Sequence, residues 1–407
     1  MHEADVVVVG GSVAGCATAT LLARRGVRVT LLEKASAPEH YKRMCTHFIV
    51  PGARPALREL GIDETLRDAG ARPNHSHVHT RYGWYSTHAG GHEAGWNLTR
   101  RKFDPLLREL ATAEPLVDFR TGAAVTDVVR EGGRVCGVRA RTRDGDEQTL
   151  RARVVVAADG RSSQIARLAG VPGRVLPHKR IGYFGYFEGL ELETGVDSII
   201  WFGDPDANYA FPNDDGLTVL AAFVGHEQLA AFRADPYAAL VRSFDGLERR
   251  PAIEQGRLVG KVLGKVDMPN VRRPAARPGL AFVGDAAQAS DPLWGVGLGF
   301  ALISASLLAR ALGPALAGGT DADTALRRYR RDHARVLLGH HLMMSDYATG
   351  RPLNALERLL FSTATHHEPT AAMLGEIGGR TAPLQSIMRP DRLARAAAAA
   401  VRHRVAA

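Results

Sequence analysis

The sequence predicts an α/β protein: a Rossmann-like dinucleotide-binding domain, an inserted antiparallel β-sheet domain that holds substrate, and a C-terminal helical region. Three observations carry this. A run of valines, Val6 to Val9, enters a glycine-rich turn and a helix. Two more apolar strands, Val154 to Ala157 and Ala281 to Val283, lead into Asp159-Gly160 and Gly284-Asp285. Aromatic, strand-like segments fill the interval between them. With 407 residues, 45% hydrophobic and 23% charged, the chain has material for two or three domains and a large core.

The first unit reads Gly10-Gly11-Ser12-Val13-Ala14-Gly15, a helical stretch to Arg25, a strand Val27 to Leu32, then Glu33 and Lys34. Gly10 permits the tight turn and Gly15 lets the helix pack on the sheet, so that a pyrophosphate can rest on free N–H groups at the helix start. Glu33 lies about 20 residues beyond the glycines, where an acid accepts a ribose 2′-hydroxyl. Ser12 stands where the pattern has its middle glycine; it leaves less room for a phosphate but can hydrogen-bond it. An acid at this strand end suits FAD or NAD and disfavours NADP.

The second segment is Val154-Val155-Val156-Ala157-Ala158-Asp159-Gly160-Arg161-Ser162-Ser163. The third is Ala281-Phe282-Val283-Gly284-Asp285-Ala286-Ala287-Gln288, then Asp291-Pro292-Leu293-Trp294-Gly295-Val296-Gly297-Leu298-Gly299 and an apolar helix. With the first, these resemble the flavoprotein monooxygenase superfamily typified by para-hydroxybenzoate hydroxylase, which includes geranylgeranyl reductases and flavin-dependent halogenases. The resemblance spans roughly the first 330 residues. It implies a Rossmann-like FAD-binding domain in which Asp159 and Gly160 form the "DG" motif and Gly284 and Asp285 the "GD" motif. Asp285 would hold a ribityl hydroxyl, and Pro292 with the backbone of Gly295, Val296, Gly297 and Leu298 would face the flavin pyrimidine. Arg43 would lie near the phosphates, Arg100 beside the flavin with Arg101 as its competitor, and Val125 against adenine. A glycine-rich loop opening a helix agrees, since it offers N–H donors and a positive dipole end to a reduced, negatively charged flavin.

The dinucleotide domain is expected to be discontinuous, from residues 1–71, 96–173 and 277–317. Residues 72–95 and 174–276 then form one antiparallel sheet roofing the flavin. Its strands include Asn74 to Thr80, Ile181 to Phe187, Ser198 to Phe202 and Leu217 to Phe223, with aromatic side chains toward the cavity. Residues 318–407 are helical, with a long helix from Thr320 to about Tyr347, and serve as packing or lid. A single dinucleotide fingerprint points to a single-component enzyme that meets NADH or NADPH transiently, or to one that uses no nicotinamide.

Net charge +9 and pI near 9.7 come without a nucleic-acid motif, so a solvated basic surface, or mild steering of an anionic substrate, is the reading. The acidic start has no basic n-region, and the longest apolar stretch, Phe300 to Ala309, is too short to span a bilayer. Cys16, Cys45 and Cys136 lack paired spacing, so a reduced, cytoplasmic protein is expected. His75, His77 and His79 recur at period two but lack cysteine or paired acids, and the expectation is a polar strand with no metal.

By the resemblance, the cofactor carries the chemistry, with dioxygen activated as a C4a-(hydro)peroxyflavin, and the protein supplies a dry pocket. Candidate bases are His47, Tyr209 and Gln288, the last where the family often has histidine. Asp291 and Pro292 would shape the loop, and Trp294 would wall the site. The aromatic roof suits an apolar aromatic or polycyclic small molecule, oxidised with O₂ in specialised metabolism. The rival is geranylgeranyl-reductase-like reduction of C=C bonds, since Asp291-Pro292-Leu293 resembles that branch. Halogenation ranks lower because no lysine lies between Lys42 and Lys102, and Asn208-Tyr209-Ala210-Phe211-Pro212 is a weak match to the halogenase tryptophan motif. FAD as a purely structural ligand ranks last.

Overall fold

In the computed structural model, residues 4–37 and 39–406 are described, apart from the side chains of Trp294, Arg404 and Ala406. The valine runs that open the sequence reading become the middle of a six-stranded sheet. Its order is Ala276–Arg277, Leu280–Phe282, Val154–Ala157, Val6–Val9, Val29–Glu33, Val117–Thr121. Five strands are parallel, with Val6 opposite both Val154 and Val29, and only Ala276–Arg277 pairs antiparallel. Both faces are covered, which is why Val6–Val9 and Val154–Ala157 are continuous apolar runs, buried throughout.

The helices Val13–Ala23 and Gly297–Ala317 cover one face and pack on each other. Their meeting with the sheet requires bare backbone: a Cβ on Gly15 would run into the Gly10 carbonyl, and Gly10 itself sits at φ +112° against Ala158. Helix Gly297–Ala317 is long and apolar enough to cross a membrane by length and composition, yet 78% of its most apolar window is buried inside the protein.

The two insertions join one larger sheet in the order Arg257–Leu258, Arg180–Glu188, Leu217–Gly225, Ala207–Pro212, Ser198–Phe202, Ser76–Thr80, Gly83–Ser86, with Leu263–Lys265 beside Arg180–Glu188. Fully antiparallel pairing was expected, but Ser76–Thr80 and Ser198–Phe202 run parallel. They come from separate passes of the chain, so no hairpin forces them antiparallel. The short insertion is also split, because Arg72–Asn74 pairs with Gly95–Asn97, which in turn pairs with Phe48–Ile49.

The C-terminal region starts with Asp321 capping the helix Ala322–His333. A π turn at Ala334–Leu338 then leads into Gly339–Tyr347, a break in the expected single long helix. Helices Ala355–Ala364, Glu368–Gly379 and Pro390–Ala406 follow, the first opened by a capping box of Asn354 and Glu357.

Candidate active site

The C-terminal ends of the parallel strands gather the three motifs, where open α/β sheets bind ligands. Glu33 closes its strand with both carboxylate oxygens on the backbone: Gly11 N–H donates to Oε2 at 2.7 Å and Ala35 N–H to Oε1 at 2.8 Å. The helix starting at Val13 has no side-chain cap, so its N–H groups remain available to an anion. Arg100, not Arg101, turns to this face: its Nη2 donates to Ser12 Oγ at 2.8 Å, while its guanidinium is fixed by buried Asp104. Arg101 points outward to Asp215. Asp159 holds its own turn, accepting from Ser163 Oγ at 2.6 Å and from Ile165 N–H at 2.9 Å. The Val125 carbonyl accepts from Gln164 Nε2 at 3.0 Å. Lys34 and Arg43 are exposed at the rim.

Asp285 is different. Its one partner among the described residues is Lys42, at 3.9 Å and itself largely exposed. A Cβ at Gly160 or at Gly297 would meet nothing within 4 Å, and the helix that begins at Gly297 has no side-chain cap. An uncommitted carboxylate, an uncapped helix end and open space beside both glycine turns fit an extended dinucleotide carrying a polyol, which FAD is.

His47 lies between these parts at φ +65°. Its Nδ1 accepts the Arg100 backbone N–H at 3.0 Å, and burial, reinforced by the Arg100 charge, lowers its pKa to about 3. It is therefore a neutral imidazole with one nitrogen occupied, a poor proton acceptor near neutrality. Tyr186, from the roof strand Arg180–Glu188, clasps the preceding segment: its hydroxyl accepts the Cys45 N–H at 3.1 Å and has the carbonyls of Arg43 and Cys45 as acceptors for its own hydrogen.

The loop before Gly297 is braced from below. Asp291 is fully buried; His178 Nε2 lies 2.8 Å from Oδ2, and Leu293 N–H donates to Oδ1 at 2.8 Å. Burial alone would raise the Asp291 pKa, but His178 and Arg180 outweigh it and hold the carboxyl below its ordinary value. Gln288 reaches away from the loop and donates to the Leu337 carbonyl in the π turn at 3.2 Å. Ser290 pairs with His341 Nδ1 at 2.7 Å. Pro292 and the backbone of Leu293 to Gly295 form a short helical turn, Gly295 at φ +65°. The Trp294 side chain lies outside the described set.

Beyond this loop is an apolar cavity of about 430 Å³. One wall is the roof's edge, Val78, Tyr85 and Ile200; the other comes from C-terminal helices, including Tyr347, Phe361 and Ile377. Phe48 also lines it and packs against Gly295, so the cavity abuts the loop read as flavin-facing. Tyr209 lies in the same sheet row as Ile200 but sits in the core between Phe211 and Phe223. His77 and His79 pair with Asp197 and Glu248.

Sequence reasoning missed Tyr85, Tyr186 and His178, and read the C-terminal helices only as packing or lid. Tyr85 had a signal, since Gly83-Trp84-Tyr85-Ser86 alternates beside a period-two strand. Tyr186 and His178 are joined to the site by contacts more than 100 residues apart in sequence.

Residues 3–194 match the FAD binding domain family. Digeranylgeranylglycerophospholipid reductase of Methanocella arvoryzae is 28% identical over 362 residues, covering 84% of this chain and 85% of that protein. Squalene epoxidase 3 of Arabidopsis thaliana is 26% identical over 323 residues, covering 77% of this chain and 60% of its own length. Among solved structures, a flavin-dependent brominase superposes with a TM-score of 0.81 at 18% identity, covering 100% of both chains, a likeness of fold.

Proposed function

We propose that this chain, an enzyme belonging to the FAD-dependent oxidoreductase superfamily typified by para-hydroxybenzoate hydroxylase, is a single-component monooxygenase of an apolar aromatic or polycyclic small molecule. The observation that carries the reading is the apolar cavity of about 430 Å³ abutting, through Phe48, the loop before Gly297. A pocket of this size and polarity suits a drug-sized apolar ligand.

Bound FAD would supply the redox chemistry and the activation of dioxygen. Gly10 to Gly15, Glu33, Lys34, Arg43, Arg100 and Val125 would hold its adenosine and phosphates, with Asp159, Gly160 and Gly284 shaping the turns. Asp285 would take the ribityl chain, and Pro292 with Gly295 to Leu298 the ring. The chain's own part is to bind, orient and keep water out. Its three first-choice bases are committed elsewhere: His47 to Arg100, Gln288 to Leu337, Tyr209 to the aromatic core. The reading therefore assigns none of these three as base, which fits a substrate oxidised without prior deprotonation. The uncapped N–H groups at Gly297 and Leu298 would steady negative charge on the ring.

The test is oxidation of NADH and of NADPH by the FAD-loaded protein across a panel of aromatic and polycyclic compounds, under ¹⁸O₂. Substrate-stimulated turnover with one labelled oxygen in the product supports the reading, and label-free product overturns it. A second reading, reduction of a C=C bond, is favoured by the likeness to digeranylgeranylglycerophospholipid reductases over most of both chains. It predicts turnover without oxygen and a product heavier by two hydrogens.

A further inference from the structure

In the roof, Tyr209, Ile200, Val78 and Tyr85 stand opposite one another on four neighbouring strands and share one face. Alternation sends Ser76 and Val78 to the cavity, and His77 and His79 to the far side. Tyr209, at the inner end of the row, is sealed in the core, whereas Tyr85 at the edge lines the cavity. Its side chain is 9% exposed and has no hydrogen-bond partner among the described residues; burial alone acts on its phenol, raising the pKa.

Several other polar groups on the cavity wall are committed, although the buried His92 Nε2 also has no partner among the described residues. The Tyr347 hydroxyl is bonded to Glu357, which also takes Arg351 at 2.6 Å and caps Asn354 N–H. Glu93 pairs with Arg54 and Arg58. No lysine or arginine is among the described lining residues. An anion would thus lose its hydration without gaining a lysine or arginine, while a neutral ligand with one acceptor would satisfy the uncommitted Tyr85 hydroxyl.

We propose that the Tyr85 hydroxyl is the hydrogen-bond donor that orients ligands in this cavity, and that the ligand class is a neutral apolar ring system carrying a carbonyl or hydroxyl oxygen. The proposal rests on the cavity being the substrate site.

The experiment is calorimetric titration of FAD-loaded protein, without reductant near neutral pH, with fluorenone, fluorene and oxofluorene carboxylate. These are one ring system with a neutral acceptor, with none, and with an added charge. The parent should bind fluorenone about three- to tenfold tighter than fluorene, the range of one neutral hydrogen bond, and the carboxylate more weakly than either. Tyr85→Phe, matched to the parent in flavin content and melting temperature, should lose the ketone preference with fluorene affinity unchanged. A preference that survives in Tyr85→Phe overturns the role of Tyr85. So does a parent that binds ketone and hydrocarbon equally, a result that needs no variant. A carboxylate bound as tightly as fluorenone overturns the neutral class. A parent that binds none of the three overturns the cavity reading itself, and the role of Tyr85 with it.

Discussion

Around the dinucleotide motifs, Gly10, Gly160, Gly284 and Gly295 adopt positive φ and bring bare backbone and short acids to the surface. The C-terminal wall of the cavity presents hydrocarbon instead, and buries its titratable groups behind it: His333, His340 and His341 are all 5% exposed or less. The first region binds with main-chain geometry that a short motif can encode. The second is a shape assembled from distant helices, with titratable groups buried in those helices. The difference has consequences for acid stability, for the brace between the regions and for the individual acids.

Acid should separate the two most strongly. Burial lowers the pKa of His333 and His341 to about 4 and of His340 to about 3. In the unfolded chain these groups take up protons near pH 6.5 while the folded protein refuses them. Below pH 6.5 the unfolded state therefore binds more protons, and stability falls as pH falls, by about 1.4 kcal/mol per histidine per pH unit down to the folded pKa. His47, with its pKa lowered to about 3, adds the same slope on the dinucleotide side, one group against three. Hydrogen exchange between about pH 6 and 4 should show residues 333–347 losing protection before the central sheet. Uniform loss across both regions would break the comparison.

The brace comes next. Asp291 and His178 form a buried pair joining the entry to the roof with the loop before Gly297. Removing one partner of such a buried hydrogen bond leaves the other unsatisfied and costs about 1–3 kcal/mol. Asp291→Ala should lower unfolding stability by that amount in chemical denaturation, with FAD released early. The Asp291 carboxyl has a lowered pKa, so its contribution is present above the ordinary carboxylate range and lost only in stronger acid. It does not explain a transition near pH 5, which keeps the two predictions separable. A stability loss below about 1 kcal/mol would mean that the pair carries no load.

The same contrast explains what the sequence could tell. Glycine turns and strand-end acids act through local backbone, so Gly10 to Gly15, Glu33, Asp159 and Asp285 could be picked out and fall where four parallel strands end. The π turn at Ala334–Leu338 could not, because it exists where the helix bends its ladder around Gln288 and the 290s loop, a partner some 50 residues earlier. Tyr209 stood out in its aromatic strand and Tyr85 did not, and only pairing across four strands reveals that Tyr209 is sealed while Tyr85 faces space. Parallel pairing of Ser76–Thr80 with Ser198–Phe202 is likewise set by chain path, on which alternation is silent.

The finest test sets two acids of the dinucleotide region against each other. Asp159 and Asp285 both follow buried strands and both are proposed to serve the site, but Asp159 spends its oxygens on Ser163 and Ile165 while Asp285 meets, among the described residues, only Lys42 at 3.9 Å. Asp159→Ala should therefore destabilise the FAD-free protein, by about 1–2 kcal/mol for a lost cap and turn bond, and weaken FAD by a smaller factor. Asp285→Ala should leave the melting of FAD-free protein unchanged, since a long, exposed ion pair contributes little. Its FAD affinity should fall about ten- to hundredfold, the worth of one charge-assisted hydrogen bond to a hydroxyl. Flavin fluorescence titration and thermal melts of both variants read the two effects independently. Melting that drops in Asp285→Ala with FAD affinity intact would make Asp285 a structural acid, and the open space beside Gly297 would then need another occupant than the flavin end of the dinucleotide.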